Sequence, residues 1–207
     1  MKKNEKANGL EPMPLQPNGE SMFAVTIVTG GFVHVGDVEL KEGYYGVRNS
    51  FNIRQWGSEK GLGEVIKVGP LKTSVIDDQG TLFVPEAAMI SIHPTSKDNW
   101  KIKRTPWPTE IAGASYPKIG GDPLFCITVV AGGFVHVGFL EKHKECYILR
   151  NSYNCRQWGT ENGLGELVRF GPRPNSTIDE QGTVFIPYHA MISMHPTLQA
   201  NWKALFK

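Results

Sequence analysis

Several things are scarce in this 207-residue chain, and each scarcity narrows its chemistry. No apolar run approaches the roughly 18 to 20 residues that a membrane-spanning helix needs, so no membrane partner is expected. Charge of one sign is scarce as well: 22 Lys and Arg stand against 20 Asp and Glu, a formal net charge of +2. That balance lacks the basic excess with which proteins coat duplex nucleic acid. Only three cysteines occur, Cys126, Cys146 and Cys155, and none forms a C-x-x-C pair. Buried thiols in a reducing compartment are the expectation. Metal spacing of the H-x-x-x-H kind is missing too. Gly61-Leu62-Gly63 is not followed by Gly-Lys-Ser/Thr, so it is not read as a phosphate loop. No cofactor is expected. Lys2, Lys3 and Lys6 are followed by Asn8-Gly9-Leu10-Glu11-Pro12 rather than by an apolar segment, so no secretory signal is expected.

Glycine and proline, by contrast, are plentiful, at 23 and 14 residues. Such a composition suits short strands and many turns. The chain also repeats itself. Residues 23–101 align with 125–203 at a constant offset of 102, without a gap, and more than half of the aligned positions are identical. The segment from Arg48 to Glu64 is the best preserved between the two copies. The cysteines face Ala24, Tyr44 and Ile53, so no cysteine site is shared. Residues 1–22 and 102–124 lie outside the repeat and are rich in proline, which reads as an extended N-terminal arm and a Pro-rich linker arm. Residues 204–207 form a short tail.

Inside each copy the apolar period is two. Val25 and Ile27, the alternating Phe32 to Val35, the Tyr44 to Val47 run, Thr81 to Val84 and Met89 to Ile92 all read as strands. Gly30-Gly31 and Asp77-Asp78-Gln79-Gly80 read as turns. No ten-residue window carries a helical period. The expected fold is all-β: two tandem small β-barrels over 23–101 and 125–203, joined by arms.

Gly31-Phe-Val-His-Val-Gly36, with Arg48-Asn49 after the next strand and Leu82 to Ile92 as a closing strand pair, resembles the Sm-like barrels and, more broadly, SH3-like barrels. The resemblance implies a small rolled sheet. A second likeness, carried by Arg54-x-Trp56-Gly57-x-x-x-Gly61-Leu62-Gly63-Glu64, is to small uncharacterised proteins of bacterial and phage genomes. It implies genomic surroundings and no mechanism.

The shared segment is the outstanding candidate site: Arg48, Asn49, Asn52, Arg54, Gln55, Trp56 and Glu64, with Arg150, Asn151, Asn154, Arg156, Gln157, Trp158 and Glu166 in the second copy. Trp offers a stacking face, Arg a planar fork, and the amides read donor and acceptor edges, so a base, nucleotide or sugar could be recognised. The preferred reading is structural, with Trp56 buried under the loop and Arg54 paired to Glu59 or Glu64. His34, His93 and their repeats His136 and His195 are read as structural, although Asp77, a histidine and Ser91 form a nominal triad. Trp100, Trp107, Trp202, Leu10, Met13 and Leu15 are candidates for assembly contacts.

Three functions compete. A self-associating structural protein, a phage-type virion or assembly component, accounts for the duplication and arms. Its partners would be further copies of itself and other structural proteins; it would be cytoplasmic when synthesised and then held in a large assembly. An Sm-like RNA or nucleotide binder is the alternative. An enzyme is the least favoured.

Overall fold

The computed structural model describes residues 21–206 except Thr105; Leu10, Met13 and Leu15 lie outside the described residues. Alternating apolar residues make the first strand pair, β1 (Met22–Val28) and β2 (Phe32–Lys41). Gly30 and Gly31 turn between them with φ of 85° and 80°, a region open to glycine at little steric cost. β3 (Tyr44–Gln55), β4 (Val75–Pro85) and β5 (Met89–Pro94) complete the first set. The second set is β6 (Leu124–Val130), β7 (Phe134–Lys142), β8 (Cys146–Gln157), β9 (Thr177–Pro187) and β10 (Met191–Pro196). Helices α1 (Leu62–Val68), α2 (Thr109–Ala112) and α3 (Gly163–Phe170) are short.

The fold is mostly β, a single ten-stranded antiparallel sheet ordered β5-β1-β2-β3-β4-β10-β6-β7-β8-β9. Strands six to ten repeat the order and register of strands one to five: Val25 faces Val35 as Ile127 faces Val137, and Gly46 faces Phe83 as Ile148 faces Phe185. The expectation of two closed barrels needs correction, because the ladder is open: β4 pairs with β10 of the other set, not with β5. One further expectation is overturned. Asp77 to Gly80 is no hairpin turn but lies within β4, at an irregularity in its pairing with β3. The Gly-Leu-Gly segments start helices α1 and α3.

Close approach of β3 requires the glycine at Gly36, where β2 bends. β2 bulges between Val35 and Asp37, and a Cβ on Gly36 would stand 2.6 Å from the Arg48 carbonyl oxygen. The bend divides each five-stranded set between two apolar clusters. One lies under the helix: Val25, Val35, Phe51, Val65 and Trp100 in the first set, and Ile127, Val137, Cys155, Leu167 and Trp202 in the second. Trp100 and Trp202 each donate Nε1–H to a threonine Oγ1, Thr95 or Thr197, at 3.2 Å. Both are therefore interior anchors of their own sets and offer no assembly surface. Trp107 lies across Gly80 and donates to Asp78 Oδ1 at 2.8 Å, tying the 102–124 segment to β4.

The two sets meet at the β4–β10 seam, where Phe83 faces Met194. Tyr44 and Phe83 of the first set sit in the apolar cluster of the second, beside Leu140, Leu149 and Met194. Tyr44 and Tyr147 join hydroxyls at 2.8 Å. Two histidines are also enclosed. Burial lowers His34 to about 4, opposed by Gln79, and lowers His195 to about 3, with His34 adding to the effect. Ser193 Oγ lies 2.9 Å from His195 Nε2. Both rings are neutral when folded, but on unfolding they take up protons below about pH 6.5. Stability is therefore full above pH 6.5 and falls as the pH drops toward 4. His34 alone gives a loss of roughly 3 kcal/mol across that window. Urea midpoints should decline steadily from pH 7 to 5; a flat profile would show that these rings do not stay neutral.

Candidate functional site

The polar residues of the shared segment fall mostly on strands. β3 runs through Gln55 and β8 through Gln157. Asn49 and Asn151 take left-handed backbone, with φ of 52° and 50°, where β3 and β8 break register. Asn tolerates that region better than other side-chain-bearing residues. Asn49 donates to Asp37 Oδ2 at 3.0 Å. Arg48 is spent on Glu39 at 3.0 Å and on the Ala112 carbonyl at 2.8 Å; Arg150 grips Glu141 at 2.7 and 3.2 Å. Asn52 is buried and Asn154 half-buried, facing His34 and His136 across the strand pairs.

The carboxylate partner of each loop arginine differs from the one expected. Arg54 holds Asp77 by one hydrogen bond, from Nη2 to Oδ1 at 3.0 Å, and by an ion-pair contact of Nε with Oδ2 at 2.6 Å, whereas Arg156 donates from both Nε and Nη2 to Asp179. Glu64 instead receives Ser58 Oγ at 2.7 Å, which draws its pKa below the usual carboxylate range. Glu166 is lowered chiefly by the Asn162 backbone N–H at 2.9 Å, with Arg173 Nε at 2.6 Å adding to it.

The two arginine pairs sit in different surroundings. Asp77 is buried on the seam, where desolvation raises its pKa against the pull of Arg54, and Glu166 raises it further. Asp179 stands at the open end of the sheet, and Arg156 lowers its pKa. The tryptophans differ likewise. Trp158 is half-buried against the second core, donates to the Cys155 carbonyl at 3.1 Å, and lines a groove that also holds Arg54. Trp56 is 38% exposed, which corrects the expectation that it lies under its loop. Gln55 and Gln157 are exposed.

The nominal triad does not assemble. Ser91 Oγ meets His93 Nε2 at 3.0 Å, but Asp77 is occupied by Arg54. Burial pushes the Cys155 thiol up to about 12 and Cys126 higher still. Among the described residues no three His, Cys, Asp or Glu side chains converge on one point, and no helix is long and apolar enough to cross a membrane. A scan of family models finds no match to the chain, and comparisons with curated proteins and with solved structures find none either.

What sequence reading missed is the inequality of identical residues. Removing Arg54 strips the buried Asp77 carboxylate of its counter-charge, a larger loss than for an exposed pair, though reduced below that of a fully buried pair because Arg54 itself is 42% exposed. Arg156 pairs with an exposed partner, and exposed ion pairs contribute little. Under dilute conditions that keep chains apart, Arg54→Ala should therefore lower the urea midpoint far more than Arg156→Ala. Equal losses would contradict this assignment.

Proposed function

We propose that the chain is a non-enzymatic structural protein that associates with itself, a component of a phage-type particle or a similar large assembly. Each chain contributes two related rolled β-modules, 23–101 and 125–203, linked by the 102–124 arm. The observation that carries this reading is the placement of the two most exposed large apolar side chains among the described residues: Phe185 on β9 and Ile90 on β5 occupy the two end strands of the sheet, with exposed Phe134 at the start of β7. End strands present unpaired backbone donors and acceptors, and proteins that stay monomeric blunt such edges with charge, proline or covering segments. An exposed Phe and an exposed Ile on those edges suit contact with protein. The polar groups of the candidate site support the same reading, because Arg48, Arg54, Arg150 and Arg156 are all engaged by carboxylates of the chain itself. The phage-type setting rests on the Arg54 to Glu64 signature alone.

One observation favours the second reading, an Sm-like RNA or nucleotide binder: the exposed Trp56 beside Arg54 and Gln55 could stack on a base. Size-exclusion chromatography with light scattering on the full chain separates the two. Assembly predicts a mass well above the 23.0 kDa of one chain. A monomer at the highest soluble concentration, with tight RNA binding that weakens steeply as salt is raised, would overturn assembly in favour of the RNA reading.

A further inference from the structure

The β4–β10 seam is an interface between two copies of one module, and its two halves recur, unpartnered, at opposite ends of the sheet. At the seam Phe83 is 1% exposed, whereas its repeat Phe185 on β9 is 66% exposed. Ile192 on β10 is 4% exposed, whereas its repeat Ile90 on β5 is 62% exposed. The same side chains, at the same positions in the same kind of strand, change only in whether another module lies opposite.

The features around the seam follow the same pattern. Phe32 packs against the cluster that holds Ile192; its repeat, Phe134, stands 56% exposed at the β9 end of the sheet. α3 presses on β4 so closely that a Cβ at Gly165 would collide with the Asp78 carbonyl oxygen. Around Gly63, the same position of α1, a Cβ would meet nothing within 4 Å among the described residues, so none of them demands a glycine there. Arg54 shares a groove with the Trp158 loop of the opposite module, while Arg156 and Trp56 are left without that neighbour. His136 and His93 likewise stand where His34 and His195 stand at the seam.

The receiving surface exists as well. Phe83 enters a cluster built on Cys126, Leu140, Leu149 and Met194. The repeats of those residues, Ala24, Val38, Val47 and Ile92, form the cluster behind β5. One difference between the interfaces is visible: Tyr44 has Cys146 as its repeat, so the hydroxyl pair of Tyr44 and Tyr147 becomes a thiol beside Tyr45.

We propose that chains join head to tail, β9 of one copy pairing antiparallel with β5 of the next in the register of the β4–β10 seam, Phe185 opposite Ile92. In this contact α1 of the incoming copy covers β9, with Gly63 against the backbone of Glu180, and Phe134 packs on Ile90. Because β9 and β5 are different surfaces, the contact is heterologous. It propagates until a ring closes or a filament grows, and all modules then stand in equivalent surroundings whether their seams lie within or between chains. This assignment rests on the self-associating reading above and names its surface.

Two exposed positions allow a test that keeps the fold. Phe185→Arg blocks the β9 edge and Ile90→Arg blocks the β5 edge, and circular dichroism and thermal melting verify that each variant folds like the parent. Light scattering should find the parent larger than two chains and each variant alone monomeric. An equimolar mixture should give a 1:1 complex of two chains, since the open β5 of the first variant meets the open β9 of the second. Variants that keep the parent's mass, or a mixture that stays monomeric, would overturn the edge assignment while leaving self-association standing. Retention of assembly by Ile90→Arg alone would indicate a symmetric β9-to-β9 contact and also overturn it. A monomeric parent would overturn both proposals.

Discussion

The contact between β4 and β10 organises this molecule. It turns two five-stranded sets into one continuous sheet, draws Tyr44 and Phe83 of one set into the core of the other, and encloses His34 and His195 in neutral form. Its cost is visible in the polar groups it buries. Desolvation raises the Asp77 carboxyl there against the pull of Arg54, and the neutral histidines cost stability as the medium turns acidic. Such groups confer little net stability compared with apolar residues of the same size, but they penalise wrong pairings. Hydrophobic insertion of Tyr44 and Phe83 holds the seam.

A seam made between repeats necessarily leaves its two halves open at the ends. This accounts for the contrast between residues of the same type: Phe83 and Phe185, Ile192 and Ile90, Trp158 and Trp56. It also recasts the Arg and Trp segment. The arginines serve as cross-strand clamps on β2, β4, β7 and β9, and the tryptophan loop lies where one module meets the next.

Much of the fold was legible in the sequence, because period-two alternation such as Phe32 to Val35 and a constant repeat spacing are local signals. The failures have physical reasons. β3 and β8 carry Arg, Asn and Gln, and a strand whose outward groups are neutralised by cross-strand carboxylates does not look like a strand in composition. Asp77 to Gly80 has the residues of a turn but lies in β4, where Arg54 takes the carboxylate of Asp77 and Trp107 covers Gly80. α1 and α3 are seven and eight residues long and hold glycines, one of which is there for close approach to Asp78 rather than for helix formation. The exposure of Trp56 against the shelter of Trp158 could not be read at all. The two segments are nearly identical, and only the order of strands in the sheet distinguishes them.

The central claim is that an internal seam is repeated between chains, and backbone hydrogen exchange addresses it strand by strand. In the parent protein, amides on the outer edges of β5 and β9 should exchange as slowly as those of β10 and β4, and Phe185→Arg should release β5 and β9 while β4 and β10 stay protected. Fast exchange along β5 and β9 in the concentrated parent protein, unchanged by the substitution, would contradict the account.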